Sequence, residues 1–202
     1  MDAGQQVHRR EGRGRGLGAA LLALGALGLV AAGCSSAARP TAIVAPADSA
    51  AFVQDHSPVY QSMTVGDVSG GEETTLISNS KISNEAFREA LTTSMRLNGM
   101  LSEAPSDDFS VEAEILSVEQ PTLQINFTTT AIVTYRVVAT SSGAELYRQT
   151  VKTESEAKFT DSIVRQERIR IATEGAMKEN IAAFMRVFGQ SVKENPYPYF
   201  AS

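Results

Sequence analysis

Residues 122–159 read TLQINFTTTAIVTYRVVATSSGAELYRQTVKTESEAKF. Both halves are rich in β-branched and aromatic residues, and Ser141-Ser142-Gly143-Ala144 between them are turn formers. The stretch therefore predicts a long hairpin of two strands, 122–140 and 145–159, more polar in its outer half than at its base. Just upstream, FSVEAEILSV (109–118) alternates Phe109, Val111, Ala113 and Ile115 with Ser110, Glu112 and Glu114. That period of two predicts a third strand with one face toward the core and one toward water. PVYQSMTVGDV (58–68), between a proline and the turn-rich SGGEE, reads as a further strand.

Two stretches switch to a helical period. In SNEAFREALTTSMRLNGML (83–101), Phe87, Ala90, Leu91, Ser94, Met95 and Asn98 fall on one face, Ser83 or Asn84 stands where a cap belongs, and Gly99 where a stop belongs. In RQERIRIATEGAMKENIAAFMRVFG (165–189), Ile169, Ala172, Ala176, Ala183, Phe184, Val187 and Phe188 recur at helical spacing. Glu174 and Lys178 are placed there as an i,i+4 pair, and Gly189 as the stop. The order β-α-β-β-β-α predicts an α+β fold, a two-layer sandwich in which a four-stranded, mostly antiparallel sheet carries both helices on one face.

The 202 residues, 43% of them hydrophobic, suffice for one core with flanking segments. Four arginines (Arg9, Arg10, Arg13, Arg15) precede the uncharged run LGAALLALGALGLVAAG (17–33), the order of a secretory leader. Seventeen residues fall short of the ~20 that span a bilayer, so a retained membrane helix is the second reading. The organisation expected is a signal peptide at 1–33, a flexible tether of Ser, Ala and Pro at 34–57, a globular domain at 58–190 and an aromatic, proline-bearing tail at 191–202. Beyond the leader the chain is acidic, which argues against nucleic acid as a partner.

Chemistry-bearing residues are few. His8 belongs to the leader and His56 stands at the end of the tether beside Asp55, so His56 reads as a solvated linker histidine rather than as a member of a serine triad. GDVSGGEE (66–73) lacks the Gly-Lys-Ser/Thr ending of a phosphate cradle and reads as a loop. Glu112 and Glu114 face water by their alternation, and Glu119 joins them as ordinary surface charge rather than a cation site. Asn126-Phe127-Thr128 matches a glycosylation pattern, and NPYPYF (195–200) offers aromatics for docking or for a membrane interface. No catalytic residue, cofactor or metal ligand is expected.

Cys34 is the single cysteine, so no internal disulfide forms. Ala31, Ala32 and Gly33 before it resemble the lipobox of bacterial lipoproteins, with Ala31 where that family usually has leucine. The resemblance implies a diacylglyceryl group on the Cys34 sulfur, cleavage before it and acylation of the freed amine. With Ser35 next, it also implies the outer membrane, facing the periplasm. ISNEAFREALTTSMRLNGML (82–101), AIVTYRVVATSSGAELYRQTV (131–151) and DSIVRQERIRIATEGAMKENIAAFM (161–185) resemble a small, uncharacterised family of proteobacterial lipoproteins over roughly residues 75–190. The element order is similar to the lipopolysaccharide-assembly lipoprotein that plugs an outer-membrane barrel. Relatives of the first family sometimes carry the name UDP-N-acetylglucosamine acyltransferase. Enzymes of that name are left-handed β-helices with hexapeptide repeats and a catalytic histidine, and this sequence has neither.

Three functions follow as expectations. The first is a non-catalytic lipoprotein that binds or assembles with another envelope component. The second is a module that carries lipid or glycolipid, and the third an acyltransferase or hydrolase using His56. A contiguous apolar patch of Leu116, Val118 and Ile132 on the open sheet face would favour partner or lipid binding.

Overall fold

The computed structural model describes residues 37–72, 81–104, 108–120 and 125–194. The expected leader 1–33, Cys34 and most of the tail, 195–202, lie outside the described residues. The elements are β1 (Met63–Ser69), α1 (Asn84–Leu97), β2 (Phe109–Glu119), β3 (Phe127–Ala139), β4 (Glu145–Ala157) and α2 (Arg165–Glu194), the β-α-β-β-β-α order read from the sequence. The sheet runs β1-β2-β3-β4. β1 lies parallel to β2, and the other two pairs are antiparallel, with Phe127 opposite Ala157 and Val137 opposite Tyr147 in the hairpin. Gly143, at φ 69°, closes the turn, a conformation that costs glycine no steric clash.

Val111, Ala113 and Ile115 of β2 and Ala131, Val133, Tyr135 and Val137 of β3 point to one side and are buried with both helices in one core. Helix α1 forms as its pattern dictates: Phe87, Ala90, Leu91, Ser94 and Met95 are buried, and the Ser83 hydroxyl caps the start by accepting from Ala86 N. At the centre Tyr135 and Phe184 stack at 4.1 Å between centroids, Phe184 meets Phe188 at 5.6 Å, and Tyr147 meets Phe188 edge-on at 5.3 Å. Such ring pairs contribute about 0.5–1.5 kcal/mol each beyond the area they bury.

Several boundaries differ from the sequence reading. β1 begins at Met63 because Gln61 turns the chain at φ 47°, and it ends at Ser69, one residue past the expected strand, so Gly66–Ser69, where the expected strand and loop overlapped, belong to the strand. Gly66 fits there because a Cβ would lie 2.2 Å from Ser110 Oγ on the neighbouring strand. Helix α2 does not stop at Gly189 but continues to Glu194, so the first residues of the expected tail are helical. Its 30 residues span about 45 Å. Val187, expected inward, is 48% exposed, while Met177, Ile181 and Met185 are fully buried.

The largest correction concerns 34–57. Its described part is no flexible tether, since Ala38, Ile43, Ala45, Ala51 and Val53 are buried in the main core. The two helices touch each other little, and this segment fills the groove between them.

Candidate functional site

The groove between the helices is filled by the segment that follows Cys34 in the sequence. From Ala38 the chain is tied to both helices in turn. Arg39 N donates to Glu174 Oε1 on α2 at 2.9 Å, Ala45 N to Ser94 Oγ on α1 at 2.9 Å, and Asp48 N to Asn98 Oδ1 at the end of α1 at 3.0 Å. Val53 N then reaches Asn98 O at 3.2 Å, and Lys193 Nζ grips the carbonyls of Ser49 and Ala50 at 3.3 and 3.1 Å. Ser94 and Asn98, polar residues on an otherwise apolar helix face, are fully buried because their partners are backbone groups of this strap. Gly189 sits mid-helix for the same reason: a Cβ there would stand 2.7 Å from Ala51 O.

The strap is latched at its start by a buried ion cluster. Arg39 holds the Glu174 carboxylate with Nε and Nη2, both at 3.1 Å, and Arg170 Nη1 adds a bond of 2.7 Å. Arg170 is held in turn by Glu167, with Nε at 3.0 Å from Oε2. The Glu174 and Arg170 side chains are 6% and 7% exposed, whereas that of Arg39 is 60% exposed. Burial pushes the Glu174 carboxyl up, but the bonds from Arg39 and Arg170 outweigh it and leave its pKa below the ordinary carboxylate range. The expected Glu174–Lys178 pair is thereby replaced, because the carboxylate faces the strap and its partners are Arg170 and Arg39.

The core holds a second polar group that sequence reasoning missed. Tyr135 OH donates to Asn180 Oδ1 at 2.9 Å, and Asn180 Nδ2 reaches Val151 O at 3.0 Å and Thr153 Oγ1 at 3.1 Å. Asn180 thus pins α2 to β3 and β4, and burial alone raises the Tyr135 pKa well above its usual value. An asparagine inside an apolar helical stripe was its only signal.

The residues weighed for chemistry are scattered. The His56 side chain is 77% exposed, with Nδ1 at 3.5 Å from its chain neighbour Asp55. Glu112 pairs with Arg136 on the open sheet face, and Glu114 is exposed. A recess of about 60 Å³ between them is lined by Asp67, Ser69, Glu112, Glu114, Thr134 and Arg136, room for little more than solvent. Among the described residues no group of three His, Cys, Asp or Glu is placed to hold a metal, and no helix is long and apolar enough to cross a membrane.

The patch of Leu116, Val118 and Ile132 does not assemble. A bulge between Ile115 and Ser117 shifts the alternation by one residue, so Val118 packs on the core while Leu116 stays exposed. The open face carries ion pairs and hydroxyls instead, among them Arg148–Glu145 and Thr134–Thr150.

No protein-family model and no curated protein matches the sequence. Solved structures do match. A Xanthomonas campestris protein of family DUF330 superposes with a TM-score of 0.53 at 9% identity, covering 75% of this chain and 94% of that one, and shares the fold. A candidate lipoprotein from Caulobacter crescentus gives 0.49 at 11% identity over 67% and 93% of the two chains. A minor lipoprotein from Acinetobacter baumannii gives 0.41 at 12% identity over 68% and 93%. None of these is close enough in sequence to carry a function across.

Proposed function

We propose that this chain is a non-catalytic lipoprotein, acylated at Cys34 and anchored in the outer membrane facing the periplasm, whose folded body binds or assembles with another envelope component. The observation that carries this reading is the strap. The strap is already buried in the core at Ala38, four residues after Cys34, and is latched at Arg39, so lipid on that sulfur would hold the whole body beside a bilayer. More than one acyl chain makes such anchoring stable, at about 0.8 kcal/mol per buried methylene. The sheet face turned away from the helices, studded with Glu112, Arg136, Glu145, Arg148 and Lys152, is the surface this reading gives to a partner. Carriage of lipid or glycolipid is the weaker alternative, because the groove between the helices is filled by the protein's own chain.

Labelled palmitate fed to cells that make the protein tests the anchor. Incorporation into the wild type and its loss in Cys34→Ser is the expected result. Equal labelling of both, or of neither, overturns the proposal.

A further inference from the structure

Four large apolar side chains stand in the open at one end of the body: Ile125, Phe159, Ile163 and Val164 are 76%, 52%, 84% and 61% exposed. They are neighbours, because Phe159 N donates to Asn126 Oδ1 at 3.2 Å and so brings the start of β3 against the turn that follows β4. Their presentation is built rather than loose. The Arg168 guanidinium lies over the rings of Phe127 and Phe159, at 5.2 and 5.1 Å from their centroids. Its Nη1 donates to the carbonyls of Ser162 and Ile163 at 2.6 and 3.0 Å. Arg168 is 6% exposed, so a buried cation fixes the backbone that pushes Ile163 and Val164 outward. Lys158 and Arg165 are exposed beside them, and the Asp161 carboxylate in the same turn is engaged by Lys158 N at 2.8 Å.

The described chain begins set back from this end. Phe127 and Ala157 lie opposite each other at the end itself, Glu119 is three residues back opposite Thr130, and Ser69 is farther back opposite Glu114. Helix α1 starts near Ser69, with Gly71 N bonded to Asn84 Oδ1 at 2.7 Å and Ala38 N bonded to Lys81 O at 3.2 Å, and Arg39 is bonded to Glu174, nine residues or about 14 Å along α2 from Arg165. Ala37, the first described residue, is three residues from Cys34, a reach of at most about 11 Å. That leash is shorter than the roughly 14 Å by which the patch projects beyond Arg39, so a bilayer facing this end meets the patch with no folded partner between them.

We infer that this end of the body rests on the membrane, with Ile125, Phe159, Ile163 and Val164 inserted among lipid headgroups beside the acyl chains on Cys34, and Lys158 and Arg165 set against lipid phosphates. The inference rests on the lipoprotein reading above. Apolar side chains held on a rigid base enter the interface by about 5–10 Å, and an aromatic ring is at home at headgroup depth.

The test uses the full mature protein, purified with its lipid and reconstituted in phosphatidylcholine–phosphatidylglycerol vesicles whose acyl chains carry bromine. A bimane label is placed on Ile163→Cys, on Ile125→Cys, or on Ser141→Cys in the hairpin turn at the far end. Acylated Cys34 does not react, so one label per chain in the intact mass establishes the anchor. Quenching at 163 and 125 about threefold or more above that at 141 is expected for insertion of this end. Quenching that is equal at both ends, or absent at 163 and 125, overturns the inference while the anchor stands. A label at 163 that is shielded from water yet not quenched by bromine points to a second copy or another protein on this patch and also overturns it. Two labels per chain show a free Cys34 thiol and overturn the anchor, and the membrane-resting end with it.

Discussion

Glu174 decides how the strap is held. Its carboxylate receives Arg39 from 135 residues away and Arg170 from one turn back, in a place where the Glu174 and Arg170 side chains are almost wholly buried. Removing one member of a buried pair leaves the other charge uncompensated, so Glu174→Gln is expected to cost about 3 kcal/mol, the lower end of the range because Glu167 still holds Arg170. The pH dependence has a definite sign. The folded pKa of Glu174 lies below its unfolded value, so the carboxylate's contribution is complete above about 4.3 and fades as pH falls through the folded pKa. Urea unfolding at pH 7 and pH 3 should show the gap between wild type and Glu174→Gln narrowing at the lower pH; a constant gap would mean that this carboxylate is not what latches Arg39. Sequence spacing pointed to Lys178 instead, because the i,i+4 rule sees only one helix and the stronger partner comes from a distant segment.

At the scale of elements, the two helices and the hairpin were legible because each carries a long, regular period. The apolar face of α1 matches the residues read from its sequence, Ser94 and Asn98 included. The strap was not legible: ARPTAIVAPADSAAFV buries Ile43, Ala45, Ala51 and Val53 at irregular intervals, with neither helical nor strand spacing, and its short side chains mimic a linker. Val118 was misplaced for a related reason, since the bulge after Ile115 inverts the alternation and nothing local in the sequence marks it. Gly189 was read as a helix stop because glycine often ends a helix, whereas here it lets Ala51 approach. Alanine at a helix interior ordinarily stabilises by up to about 1 kcal/mol, yet Gly189→Ala is expected to lower stability by about 1–3 kcal/mol, because its Cβ meets backbone oxygen. Gly175→Ala should cost less, since its nearest obstacle is the Ser155 hydroxyl, which can rotate away. Thermal unfolding of the two variants checks the order, and a stabilised Gly189→Ala would show that the strap does not press on α2.

For the whole molecule, the architecture followed from the order of periods, while the packing of the segment after Cys34 did not. A free chain over 34–57 would let the domain drift roughly 25–30 Å from the bilayer. With Cys34 as the proposed anchor, a strap described from Ala37 would shorten the leash to about 11 Å or less. The candidate site was therefore half legible: the proposed leader and anchor at Cys34 rest on the sequence, and the strap that follows them shows only in the fold. Neutron reflectometry on the lipidated protein in a supported bilayer measures the leash directly. A dense protein layer touching the headgroups, with no water between, is the expected profile; no bound layer, or one held off by a hydrated gap of about 25 Å, would contradict a latched body anchored at Cys34.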